Sequence, residues 1–203
     1  MNINTLKEQI KEVDIYVLDQ ILKGIYTIGN SILDVGCGRG RNLRWFYKAG
    51  FEIHGIDLNV DDIAYCKQRY KKQQVHFATG SLEQLPYNAN SFDHVICVAV
   101  LHFAENLNDY LKMFNELLRV LKPQGTLVIR TAASFGIENL IEPIGNGVYK
   151  LPDGSTRFLL NTEILDTIRE KKNMFVVEDV KTTIVENKRA MTTLMIKKGE
   201  EAI

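Results

Sequence analysis

No apolar stretch of the chain approaches the roughly 20 residues that a bilayer-spanning helix needs. Met1 to Gln9 mixes polar and charged residues where a signal peptide would be greasy. A cytoplasmic protein with no membrane span is the expectation. Cysteine is sparse. Cys37, Cys66 and Cys97 stand about 30 residues apart, without the close pairs of a zinc site or redox motif, and their odd number argues against a disulfide framework. Reduced thiols and no metal are expected. Net charge is missing as well, since 25 Lys and Arg balance 25 Asp and Glu. Without a basic excess to grip a phosphate backbone, nucleic acid is not the expected partner. Repeats and low-complexity tracts are also absent. What is present is 203 residues, 45% hydrophobic and 25% charged, an ordinary globular composition. A chain of this size buries roughly 70% of its unfolded surface, so residues 1–203 are read as a single domain.

Thr5 followed by Glu8 has the form of a capping box, and Leu6, Ile10, Val13, Val17 and Ile21 share one helical stripe that ends near Gly24. An amphipathic helix is predicted there, and residues 1–30 form an N-terminal helical cap. Ser31 to Val35 is a short apolar run followed at once by glycines, the form of a buried strand feeding a tight turn. A helix from Asn42 to Ala49 closed by Gly50, a strand from Phe51 to Ile56 and a helix from Asp61 to Tyr70 follow. Val75 to Thr79 and Phe92 to Val100 read as the third and fourth strands. Leu107, Leu111, Phe114, Leu117, Leu118 and Leu121 give a helix that Lys122-Pro123-Gln124-Gly125 stops before a strand from Thr126 to Thr131.

Ala132 to Leu160 has no clean period and includes the turn Pro152-Asp153-Gly154, so it reads as an irregular insertion on the substrate side. After a helix from Thr162 to Lys171, strands Phe175 to Ile184 and Ala190 to Lys197 are joined by the short polar link Val185 to Arg189. A parallel crossover needs a dozen residues or more, so these two must run antiparallel if they pair. The predicted fold is α/β: a doubly wound, Rossmann-like, mostly parallel seven-stranded sheet with an antiparallel C-terminal hairpin and helices on both faces.

Leu33-Asp34-Val35-Gly36-Cys37-Gly38-Arg39-Gly40-Arg41-Asn42 is a strand, a glycine-rich turn and a helix start in succession. Glycine lets a ligand approach closer than a Cβ permits, while the helix's first amides face the crevice. A nucleotide-like ligand fits. Asp57 closes the second strand 21 residues after Gly36, where an acidic side chain reaches ribose hydroxyls in doubly wound folds. A dinucleotide fingerprint wants a third glycine where Arg41 stands, and a dinucleotide oxidoreductase normally has a parallel final strand, so NAD is disfavoured.

Together with the terminal hairpin, these features resemble the class I S-adenosylmethionine-dependent methyltransferases, and within them the type 11 group that includes ubiquinone and menaquinone biosynthesis-like enzymes. Leu33 to Gly40, Gly55-Ile56-Asp57, Leu85-Pro86-Tyr87, Ser91-Phe92-Asp93, Val100-Leu101-His102 and Glu116 to Gly125 carry the resemblance. It implies S-adenosylmethionine as cofactor, with Asp34 as the acidic residue of the first motif and Gly36, Cys37 and Gly38 facing the methionine portion. It further implies Asp57 on the ribose, Leu58 on adenine, Ser81 and Leu82 at adenine's edge, and Cys97 or Val98 touching the methionyl group through backbone. Ser81 departs from the family, which usually has Asp there; a hydroxyl accepts more weakly than a carboxylate.

Cys37 reads as a small buried filler rather than a nucleophile. His54, His76 and His94 lie in predicted strands without partners at metal-ligand spacing. His102 follows the fourth strand at its ligand-binding end and is the one candidate for orienting or deprotonating an acceptor. Tyr149 and Arg157 lie in the insertion and are candidates to touch substrate, or else exposed hairpin residues. Lys67 to Lys72 reads as a solvated helix end.

The Asn or Asp followed by Pro-Pro and an aromatic residue, which marks family members acting on exocyclic or amide nitrogens, is replaced by Cys97-Val98-Ala99-Val100. Cys97 also follows Ile96 rather than proline, unlike the nucleophile of pyrimidine carbon-5 methyltransferases. These absences and the neutral charge favour methyl transfer to a small-molecule acceptor by in-line displacement, driven by positioning. The alternative is a methyltransferase-like cofactor-binding subunit without its own catalysis. The acceptor atom and the oligomeric state stay open; the N-terminal helix could cap the site or pair with another chain.

Overall fold

The computed structural model describes residues 3–200. The N-terminal segment forms two helices, α1 (Ile3–Ile10) and α2 (Ile15–Leu22), rather than the single amphipathic helix expected. Thr5 already lies inside α1 and does not cap it; the side chain of Leu6 lies outside the described residues. The break falls at Glu12, whose φ of 68° is left-handed, and at Asp14, which caps α2 by accepting from the Tyr16 N–H at 3.0 Å.

The chain then alternates through β1 (Ser31–Val35), a 3-10 turn at Arg41–Leu43, α3 (Arg44–Ala49), β2 (Glu52–Asp57), α4 (Val60–Arg69), β3 (Phe77–Thr79), β4 (Phe92–Val98), α5 (Leu107–Val120) and β5 (Leu121–Ala133). Caps mark the boundaries the sequence signals. Gly50 closes α3 at φ 88°, and the Asn59 carbonyl oxygen of the side chain accepts from Asp61 and Asp62 to open α4. β5 begins before the expected Thr126. Phe92 pairs Leu121 and His94 pairs Thr126, so Lys122 to Gly125 form a bulge inside the strand instead of preceding it.

The segment expected to be irregular is a small antiparallel sheet of β6 (Glu142–Gly145), β7 (Val148–Lys150) and β8 (Thr156–Phe158), with the Pro152-Asp153-Gly154 turn joining the last two. α6 (Thr162–Arg169) follows. The strand expected over Phe175 to Ile184 is interrupted into β9 (Met174–Val176) and β10 (Lys181–Val185), both antiparallel to β11 (Arg189–Lys198). Eight strand segments therefore occupy a sheet whose main path runs β10-β11-β5-β4-β1-β2-β3, with β9 also on β11.

β1 through β5 are mutually parallel where they pair, and β11 alone turns the sheet antiparallel. All five residues of β1 are buried, and they alternate between two cores. Leu33 and Val35 pack with Phe114 and Leu117 of α5 and Ile164 and Ile168 of α6. Ile32 packs with Val17 of α2, Phe46 of α3 and Ile63 of α4. Helices thus cover both faces, as the run of apolar residues in a parallel strand requires. β1 pairs β2 on one side and β4 on the other, so the order reverses beside it and a crevice opens at the strands' carboxyl ends.

Candidate active site

The glycine loop leaves β1 under tight backbone control. The Gly36 and Cys37 amides both donate to the Ile56 carbonyl, at 2.8 and 3.1 Å. Gly36 sits at φ 69°, and a Cβ there would stand 2.2 Å from Val100 Cγ2, so only glycine lets the loop close against β4's end. α4 holds the loop from outside: the Cys66 thiol donates to the Gly38 carbonyl at 3.3 Å and the Tyr70 hydroxyl to the Gly40 carbonyl at 2.5 Å.

Asp57 braces the same loop. Its Oδ2 accepts from the Gly38 N–H at 2.8 Å and its Oδ1 from the Asn59 N–H at 2.9 Å. Each carboxylate oxygen keeps a further lone pair, so Asp57 can still receive ligand hydroxyls.

Among the predicted residues, Gly36, Asp57, Leu58, Ser81 and Leu82 line one crevice of about 220 Å³. Leu58 is 73% exposed there, an apolar side chain held in the open. The Ser81 hydroxyl oxygen accepts from the Glu83 N–H at 3.1 Å, leaving its proton as a donor toward a ligand. Cys97 and Val98 are buried and do not line this crevice; the residues of β4's end that reach it are Ala99, at φ 61°, and Val100. Phe103 and Met113 complete the walls; neither stands in a family motif of the sequence.

Asp34, Cys37 and Gly38 do not line the crevice. The neighbouring Cys66 thiol, and then burial, push the Cys37 thiol up, which suits an unreactive filler. Asp34 is different. Its carboxyl is 1% exposed and neither oxygen has a hydrogen-bond partner among the described residues. Burial pushes it up to about 7, offset in part by the Arg41 charge and by the neighbouring Asn42 side-chain amide, which approaches without closing a full hydrogen bond. A buried carboxyl without a partner is costly, and a cationic ligand group at the loop would satisfy it. The residues present therefore fit S-adenosylmethionine, whose amino acid portion carries an ammonium.

A second cavity of about 660 Å³ adjoins the crevice and shares Ala99 and Phe103 with it. Arg157 lines it, with His102, Arg130 and Arg189. Tyr149 lies elsewhere, packed against the apolar cluster of Ile137, Leu151 and Leu159. His102 is buried and its Nδ1 accepts the Ala132 N–H at 3.2 Å, so its proton stays on Nε2. Burial, then the Arg157 charge, hold it down to about 4. At neutral pH it offers a donor rather than a ready base.

One grouping has no signal in the spacing. Glu52, His54 and His76 bring ligand atoms within 4.8 Å of one another at the amino end of β2, away from the crevice. The two imidazoles are stacked 4.1 Å apart and nearly parallel, at 4°. A metal lies in the plane of each imidazole it binds, at about 2.1 Å from nitrogen, and parallel stacked rings share no such point.

Residues 33–129 match a family model described as a methyltransferase domain. The Bacillus subtilis protein YqeM is 32% identical over 108 residues, which are 52% of this chain and 44% of that protein. A fatty-acid O-methyltransferase of Mycolicibacterium smegmatis is 34% identical over 101 residues, 48% of this chain and 35% of that protein. The chain thus spans less than half the length of these curated relatives. In fold it is similar to a 1,6-didemethyltoxoflavin-N1-methyltransferase from Burkholderia thailandensis with S-adenosylhomocysteine bound, at a TM-score of 0.66 and 18% identity, over 98% of this chain and 82% of that one. Over residues 33–129 the chain matches the methyltransferase-domain family, and from glycine loop to sheet order it is similar to the class I S-adenosylmethionine-dependent methyltransferases.

Proposed function

We propose that this chain, as a single domain, transfers a methyl group from S-adenosylmethionine to a small-molecule acceptor. The observation that carries the reading is the unpartnered Asp34 carboxyl beneath a glycine loop that Asp57 braces. The M. smegmatis relative, named for a fatty acid, supports the small-molecule class.

When bound, S-adenosylmethionine supplies a sulfonium methyl already activated for displacement, so the chain's own work is positioning. Asp57 receives the ribose hydroxyls, Leu58 covers adenine, and Ser81 and Leu82 stand at adenine's edge. Asp34, buried beneath the loop and off the crevice wall, supplies the negative charge that the ammonium answers, while Gly36 passes beside the methionine portion. Ala99 and Val100, which line the crevice just past Cys97 and Val98, approach the methionyl group. His102 holds an acceptor by donating from Nε2, with Arg157 beside it.

Calorimetry with S-adenosylmethionine, S-adenosylhomocysteine and NADH tests this. Micromolar binding of the two adenosyl ligands and none of NADH is expected. Asp57→Ala should weaken both by about a hundredfold, the loss of two charge-assisted hydrogen bonds at about 1.5 kcal/mol each. A folded protein that binds neither would sink the reading. Binding without methyl transfer to any of a broad panel of acceptors would instead favour a non-catalytic cofactor-binding subunit.

A further inference from the structure

The cavity beside the crevice has an electrostatic character that the family resemblance does not dictate. Three guanidiniums line it, from β5 (Arg130), β8 (Arg157) and the first residue of β11 (Arg189). Arg130 is neutralised, since its Nη1 meets Asp14 Oδ2 at 2.9 Å. Arg157 is not. No carboxylate lies within 4.0 Å of it among the described residues; Nη1 donates to the Thr156 carbonyl at 2.6 Å, and the guanidinium rests 4.9 Å from the centre of the Phe103 ring. Among the described residues, Asp153 is the one carboxylate within 4.0 Å of Arg189, with Nε 3.9 Å from Oδ2. Asp153 is itself occupied on its other oxygen, which accepts from the Ser155 amide at 3.0 Å and hydroxyl at 2.6 Å.

The wall thus presents one carboxylate against two guanidiniums not otherwise neutralised, with the His102 Nε2–H as a further donor. It is rich in donors and short of acceptors, and a neutral or cationic acceptor would leave those donors unanswered. Planar guanidiniums match carboxylate and phosphate oxygens in pairs.

We propose that the methyl acceptor carries an anionic group, a carboxylate or a phosphate, held by Arg157 and Arg189 in this cavity next to Phe103. The inference rests on the methyltransferase reading, because it takes the cavity adjoining the crevice as the acceptor's place. Where the anion is itself a carboxylate nucleophile, one oxygen forms the new C–O bond and the S–CH3 bond breaks with its electron pair kept by sulfur. No proton needs removing, which agrees with a site whose histidine is a donor.

The test uses the whole chain in low-salt buffer, where guanidinium attraction is least screened. Butyrate and inorganic phosphate are titrated separately, with and without S-adenosylhomocysteine. Millimolar binding of at least one anion is expected, and Arg157→Gln with Arg189→Gln should weaken it tenfold or more. Preference for butyrate or for phosphate identifies the anion. Each single variant is measured too, with a thermal melt to verify folding, and S-adenosylhomocysteine affinity should stay within about threefold. No binding of either anion, or binding that survives both substitutions, overturns the proposal. Loss of S-adenosylhomocysteine binding by the unmodified chain would instead overturn the methyltransferase reading, so the two failures are distinguishable.

Discussion

At the scale of single residues, Asp34 has the sharpest consequence. Its carboxyl sits at about 7 in the free protein because burial opposes the charge. Under the proposed function, a ligand ammonium favours the ionised form, so binding below that value must expel a proton. Affinity for S-adenosylhomocysteine should therefore rise between about pH 6 and pH 7.5, by up to about tenfold, and then level off. Asp34→Asn should bind more weakly and without that slope; calorimetry at several pH values checks both.

The residues of the crevice were largely legible in the sequence. Gly36, Asp57, Leu58, Ser81 and Leu82 occupy short local motifs in which spacing fixes the place. That Ala99 and Val100 line the crevice, one and two residues past the end of β4, was not legible, because it depends on the left-handed turn at Ala99, a residue with no chemical mark of such a turn.

At the scale of elements, the break between α1 and α2 escaped the sequence for a definite reason. Val13, Val17 and Ile21 keep helical phase with Ile10, so periodicity runs straight through a residue that turns left-handed. Long-range contacts decide the break. Arg41 Nη1 donates to the Glu12 carbonyl at 3.1 Å, and the Asp14 amide donates to Asn42 Oδ1 at 3.0 Å. The Asp14 carboxylate, 2% exposed, caps α2 and receives Arg130.

Asp14 therefore ties the N-terminal helices to the glycine loop and to β5 together. Asp14→Ala removes a cap and strands a guanidinium, and should destabilise the protein by about 3 kcal/mol in urea unfolding. By contrast, the exposed pair of Glu8 and Arg44 should contribute little. The interruption between β9 and β10 was equally hidden, since both halves are strand-like and only β11 shows where pairing lapses.

At the scale of the whole molecule, the titratable groups oppose one another. Burial holds both His94 and His102 down to about 4, against about 6.5 in an unfolded chain. Between those values the unfolded chain binds two protons the folded protein refuses. Asp34 does the reverse, keeping a proton that the unfolded chain releases above about 3.9. Among these three groups the balance is one net proton taken up on unfolding, and His54, also held down by burial, adds to it, so stability should fall as pH drops from about 6.5 toward 4, by at least about 1.4 kcal/mol per unit at its steepest. Below that range Asp93 and Glu178, held near 2, extend the loss. Asp34→Asn removes the compensating proton and should make the acid decline steeper; melting curves at pH 7, 6 and 5 measure it.

The sheet order and the two cores follow from alternation and glycine punctuation along the chain. The arginine-lined cavity does not, because Arg130, Arg157 and Arg189 stand about 30 residues apart: Arg130 reads as a strand residue, Arg157 as a lone candidate in the insertion and Arg189 as the end of a polar link, with nothing in the spacing to join them. Phe103 is the wall that this cavity shares with the crevice, and Arg157 holds its ring from one side. Two compartments with a common partition do not fill independently. A ligand that settles the ring from one side changes the vacancy on the other, and whatever factor it imposes on its neighbour's affinity is returned to it in equal measure.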